Sequence, residues 1–405
     1  MTRLAREVNW LGQAAARADD QALVRVVQML DALPDRGAVD QVLAQARQRL
    51  RALRPARPLG FTRLLFLPLN GALVPSTRWK RGEALVPRSS IAALTEPVQQ
   101  QLGASATELL AACEGHTTAD HALVARIGAE LWPRAALALP ATPPPGWAQT
   151  GLTLADYPGI AELCRPLWQH GLALWQAMAA APEGPPPHLA RAALVAVQPA
   201  GPRAFTAALA ALMPLATQPG QLATLAAGLE PQCRAVAIQA VEQMLDEPMP
   251  ALDLLDLGGA TAATLALCAR LDDLAQCSLV QGERQHRLAA LRRAADEACR
   301  ERFMAAAEAQ VMLPLGKLRL APQVADADVV ALEAAARALH GLQAAGRKLG
   351  GGGAYDKALL TLSEAMAGLV AGPANPAGLR PIDLARLVEI LRGPDVAAAL
   401  LAERT

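Results

Sequence analysis

Apolar residues along this chain recur at helical spacing, in blocks separated by proline and glycine. Over 20–33, Leu23, Val26, Val27, Leu30 and Leu33 fall three or four apart, and Pro34 stops the pattern. Over 38–53, Val39, Val42, Leu43, Ala46, Leu50 and Leu53 share a face, with Arg47, Arg49, Arg51 and Arg54 largely off it. With a helix over 2–18, these predict an N-terminal helical segment, 1–53. The periodicity then fails. Pro55, Pro58, Pro68, Pro75 and Pro87, with Gly60, Gly71 and Gly82, forbid a long helix between 54 and 90. Here Phe61 to Leu69 reads as a short extended stretch and Asn70-Gly71 as a turn, with Ser89 or Ser90 capping the next helix.

Helical texture returns from 104. It predicts helices over 104–114, 118–138, 153–181, 187–198, 202–217, 219–229 and 231–246, then 260–278, 283–312, 326–349, 354–371, 382–392 and 394–403. Pro202, Pro219 and Pro231 sit near helix starts, where a missing N–H costs nothing. The run Gly350 to Gly353 reads as a flexible hinge. No signature residue recurs at a fixed period. The expected fold is all-α, an irregular antiparallel helical array, solenoid-like in texture, with a Pro/Gly-rich basic insertion near 54–90. Four segments are expected: 1–53, an irregular 54–103, the array 104–349, and a C-terminal helical piece 350–405.

Composition agrees with helix. Much of the 53% apolar content is Ala and Leu, and only twelve of 405 residues are aromatic, which disfavours sheet. Only four of the thirty-eight cations are Lys, an Arg and Ala bias expected of a GC-rich bacterial genome. No run approaches the ~20 apolar residues of a membrane span. The N-terminus lacks the apolar core of a secretory signal, and six scattered Cys without a Cys-x-x-Cys pair read as buried thiols. A cytoplasmic chain is expected.

Charge changes this picture more than composition does. The chain is nearly neutral at +1, yet residues 41–90 hold ten Lys/Arg against Glu83 alone, a net +9. Residues 101–282 hold seven Lys/Arg against fifteen Asp/Glu, a net −8. Arg63, Arg78, Trp79, Lys80, Arg81 and Arg88 mix cations with an aromatic ring outside regular structure. That mixture suits phosphate contacts with stacking, or docking on an acidic protein face. The plainer alternative is a solvated loop whose cations pair with the acidic segment of the same chain.

Other chemistry is thinner. His116, Asp120 and His121, near Cys113 and Glu114, are the densest set of metal-ligand types, but their spacing is poor and a polar turn between helices explains them. Asp272-Asp273, with Asp253 and Asp256, lacks the second acidic helix that an aspartate-rich Mg²⁺ site needs, and reads as a solvated helix face. Asp253 and Asp256 lie beside Gly258-Gly259, where a helix is expected to end. The glycine run is no phosphate loop, and no nucleophile elbow occurs. Trp168 and Trp175, seven apart, mark a core stripe.

The sequence therefore predicts a non-enzymatic cytoplasmic helical scaffold or adaptor, without cofactor. It would bind another macromolecule, a protein first, through its basic region and helix faces. A nucleic-acid-binding protein using the 47–88 segment is the alternative, and a metal-dependent helical enzyme centred on His116, Asp120 and His121 the weaker one.

Overall fold

A computed structural model describes residues 56–179, 184–321, 323–370 and 379–402, together with 22, 23 and 25. Apart from those three positions, the helices expected before residue 54 lie outside the described residues. The described residues form seventeen α-helices and one pair of two-residue strands, so the chain is all-α. No helix among them is long and apolar enough to cross a membrane. They divide into two compact units between Thr217 and Gln218.

The first unit contains α1 (Phe61–Phe66), α2 (Ile91–Leu102), α3 (Ala104–Cys113), α4 (His121–Ala138), α5 (Tyr157–Gln169), α6 (Gly171–Ala179), α7 (Pro187–Val197) and α8 (Pro202–Leu212). The stretch 61–69, expected to be extended, is instead helical: α1 is followed by a 3-10 helix, Leu67–Ala72. Burial is the reason. Phe61, Leu64 and Leu65 fall three and four apart and turn one face inward, where extended backbone would expose alternate residues. Two tryptophans secure the end of this helix. Trp132 on α4 donates its indole N–H to the Leu64 carbonyl at 3.0 Å, and Trp168 on α5 donates to the Leu65 carbonyl at 2.8 Å. Those carbonyls lie in the last turn of α1; Leu64's also accepts the Leu67 N–H, so the indole takes its second lone pair.

The 3-10 helix presses on α8 so closely that a β-carbon at Gly71 would collide with the Cα of Ala211. The helix expected over 153–181 breaks at His170 into α5 and α6. At the break the Trp132 ring lies against Gly171, where a β-carbon would come within 2.9 Å, so only glycine fits there.

The second unit contains α9 (Pro219–Ala227), α10 (Pro231–Asp246), α11 (Leu257–Gln276), α12 (Glu283–Ala306), α13 (Leu313–Leu320), α14 (Asp326–Arg347), α15 (Gly352–Val370), α16 (Pro381–Arg392) and α17 (Pro394–Ala402). Helix α11 packs against α9, α12 and α14, and α16 packs against α14, α15 and α17. Helix α12 runs through a π-helical turn, Ala307–Met312, into α13, whose second residue is Pro314. A proline there cannot donate back along the helix, and a widened turn accommodates it.

Where a helix end was expected beside Gly258-Gly259, α11 begins. Asp256 is its N-cap, accepting the Gly259 N–H at 2.6 Å. Gly350 and Gly351 lie in the turn between α14 and α15, and Gly352 and Gly353 open α15. Gly350 has φ +129°, and Gly351 donates its N–H to the Asp296 carboxylate on α12 at 3.1 Å.

Candidate functional site

The basic cluster sits on a loop closed at its base. Leu73–Val74 (β1) and Val86–Pro87 (β2) pair in parallel, Leu73 with Val86 and Val74 with Pro87, so residues 75–85 leave and return at one place. Val74 and Val86 are buried and hold the base in the core. A surface loop with adjoining ends and its own internal packing is an Ω-loop, a form that often carries function.

Inside the loop, backbone turns run from the Arg78 N–H to the Pro75 carbonyl (2.9 Å) and from the Glu83 N–H to the Lys80 carbonyl (3.2 Å). Gly82 has φ +89°, a conformation other residues rarely adopt. Trp79 is half-buried and donates its indole N–H across the loop to the Leu85 carbonyl at 2.9 Å.

Two arginines fasten the loop to the helices beside it. Arg81 Nε lies 2.5 Å from Asp156 Oδ1, and its Nη2 donates to the Thr153 hydroxyl at 2.7 Å. Asp156 is buried just before α5 and also accepts the Thr153 N–H at 2.8 Å and hydroxyl at 2.7 Å. The Arg81 hydrogen bond, outweighing burial, holds this carboxyl below the usual carboxylate range. Arg203, on α8, reaches the carbonyls of Glu83 and Gly159, both at 3.4 Å, with Glu162 3.9 Å away.

The structure thus brings Arg78, Trp79, Lys80 and Arg81 together on one loop, with Arg88 immediately beyond β2. It turns Arg63 elsewhere: on α1, its guanidinium donates to the Pro58 carbonyl. Arg81 with Asp156 is an ion pair between the basic and acidic segments, so some of the charge is matched internally. The side chains of Arg78 and Lys80 are exposed and have no ion-pair partner among the described residues. Asp156, Thr153 and Arg203 do not stand out in the sequence as site residues. A signal exists for the first two, because Thr153-x-x-Asp156 has capping-box spacing and the structure forms that box.

The metal-ligand candidates separate. His116 Nδ1 stands 3.5 Å from the Asp120 carboxylate, which also accepts the Thr117 N–H at 2.7 Å. That backbone hydrogen bond is the main cause holding the Asp120 carboxyl below its ordinary range. The turn is tied down by the Arg57 N–H on the Thr118 hydroxyl (3.0 Å) and the Leu59 N–H on the His116 carbonyl (2.8 Å). His121 opens α4 and packs edge-on against Trp175, ring centroids 5.8 Å apart, beside a shallow apolar groove lined also by Ala125 and Leu189. Among the described residues, no group of three or more His, Cys, Asp or Glu is arranged to hold a metal ion.

The remaining acidic and thiol groups have structural duties. Asp272 pairs with Arg292. Asp273, expected on a solvated face, is buried and accepts the N–H groups of Gly220 (2.5 Å) and Gln221 (3.2 Å) at the start of α9. All six cysteines are free and buried, and burial pushes the Cys164 thiol well above its ordinary range. Comparison with protein-family profiles, with curated proteins and with solved structures finds no match to the chain.

Proposed function

We propose that this chain is a non-enzymatic helical adaptor that docks an acidic face of a protein partner on the loop 75–85. One observation carries the reading: Arg78 and Lys80 stand exposed on a loop that Arg81, Trp79 and Arg203 have already fixed. A fixed loop loses little conformational freedom on binding, so its unpaired cations contribute more of their attraction to affinity. Flanking helix faces extend the surface. Asp120, Asp156, Asp256, Asp272 and Asp273 each hold a turn, a cap or an ion pair, which supports a binding role over a catalytic one. Six buried thiols suit a reducing, cytoplasmic setting.

Nucleic acid is the less favoured partner because of Trp79. A stacking platform needs an open ring face, whereas this ring is half-buried and its N–H is engaged within the loop. The test is a pull-down from lysate of the encoding organism, with nuclease added, using wild-type chain and the R78E/K80E variant as bait. A protein captured by the wild type and lost by the variant supports the adaptor. Equal capture by both, or capture that nuclease abolishes, overturns it.

A further inference from the structure

Leu154 is 68% exposed, and it follows directly on Thr153, whose hydroxyl accepts from Arg81. Its position is set by neighbours on both sides. Thr153 and Asp156 form a reciprocal capping box, and both are held by the Arg81 guanidinium, so the 3-10 turn Leu154–Asp156 is fixed with its leucine outward. A single exposed leucine is ordinary on a protein surface. This one stands on a turn pinned by Arg81, and Lys80 and Arg78 lie one and three residues before that arginine in the same loop. The acids placed at the loop are Asp156, already paired with Arg81, Glu83 within the loop, and Glu162, 3.9 Å from Arg203. Arg78 and Lys80 have no ion-pair partner among the described residues, so the loop that clasps this turn carries two unmatched cations. An apolar side chain on a fixed turn clasped by a basic loop offers a protein partner an apolar contact inside a polar rim, which a phosphate track does not need.

Resting on the adaptor reading, we infer that the loop 75–85 and Leu154 form one recognition surface for an acidic protein segment carrying a bulky apolar side chain. The acidic groups meet Arg78 and Lys80, and the apolar side chain covers Leu154. Steering comes from the charges. Selectivity among acidic segments comes from the leucine.

Fluorescence anisotropy with three labelled probes tests this on the full chain. One is a twelve-residue Glu/Asp-rich peptide with a central Leu, one is the same peptide with Ala in that place, and one is a twelve-nucleotide single-stranded RNA. The wild type is expected to bind the Leu peptide about tenfold more tightly than the Ala peptide, the scale of burying one leucine side chain. Leu154→Ala is expected to bring the two within about twofold, leaving weak binding of both, and R78E/K80E to lose both. The exposure of all three side chains keeps these variants folded. Equal binding of the two peptides by the wild type, or a tenfold preference surviving in L154A, overturns the inference and leaves the adaptor reading standing. RNA binding tighter than either peptide overturns both. Failure of every probe to bind overturns the inference, and the pull-down then decides the adaptor reading separately.

Discussion

Arg81 and Asp156 are 75 residues apart in sequence and 2.5 Å apart in space, the first side chain 61% exposed and the second 5%. The pair is therefore more than a surface salt bridge. Its buried member also closes the capping box before α5, so the loop and the helix start share one carboxylate. Asp156→Asn is expected to weaken the Arg81 and Thr153 hydrogen bonds together, with amide exchange in 78–85 accelerating about tenfold, as loss of one charge-assisted bond implies. Exchange elsewhere in α4 and α5 is expected to stay unchanged. Because the folded-state carboxyl titrates below its unfolded value of about 3.9, the clasp's contribution is fully present above about pH 5. It is lost as pH falls through the depressed value, so exchange in the loop should not respond to pH between 5 and 8 beyond the intrinsic rate.

Asp273 has the opposite sign. Burial raises its carboxyl above the ordinary value despite two backbone N–H donors. The unfolded chain then holds this proton less readily than the folded one, and stability rises as pH falls through the raised value. Asp273→Ala removes the cap from α9, an expected loss of about 1 kcal/mol at pH 7. Urea unfolding of wild type and variant between pH 7 and 4 checks the sign: the gap between them should widen toward acid. A gap that narrows would mean the N–H donors outweigh burial.

Trp168 is fully buried, donates to the Leu65 carbonyl at 2.8 Å and meets Phe66 edge-on at 5.5 Å. Trp168→Phe keeps most of the ring but leaves the carbonyl short of a donor, at a cost of ~1–2 kcal/mol. Trp168→Ala adds a cavity and is expected to cost ~3–5 kcal/mol. Denaturant midpoints of the two variants, read by far-ultraviolet circular dichroism, should fall in that order. Equal midpoints would mean that the hydrogen bond contributes nothing measurable.

How far these relationships are legible in the sequence depends on their range. Helix starts marked by Pro202, Pro219 and Pro231 stand where the sequence places them, because a proline at the first helical position is a local signal. The 61–69 stretch reads as extended because Pro68 and the Asn70-Gly71 turn that follows outweigh a short apolar face. That face is buried, and its last turn is held by Trp132 and Trp168, 68 and 103 residues away. Asp256 shows a subtler failure: Gly258-Gly259 looks like a helix end, yet an aspartate two residues earlier makes it a start. In the candidate site, the charge run 78–81 is visible and its anchor is not. Nothing local ties Arg81 to Asp156, although the Thr153-x-x-Asp156 spacing itself is readable.

The salt dependence of any nucleic-acid binding offers a last and sharper discrimination. Each phosphate neutralised contributes about −0.9 to the log–log slope for duplex DNA, and somewhat less for single strands. With Arg78 and Lys80 as the loop's cations lacking an ion-pair partner among the described residues, the slope on a single strand is about −1.4, and raising salt from 50 to 200 mM weakens binding only about sevenfold. An interface engaging six or more cations loses ~1,000-fold or more over the same range. Gel retardation of single-stranded RNA is therefore expected to be absent at 150 mM salt, and at low salt to be weak, shallow in slope and abolished by R78A/K80A. A slope steeper than about −2 that survives R78A/K80A would show that cations outside the loop engage phosphate. Nucleic acid would then be the partner after all, with the loop 75–85 contributing little to its binding.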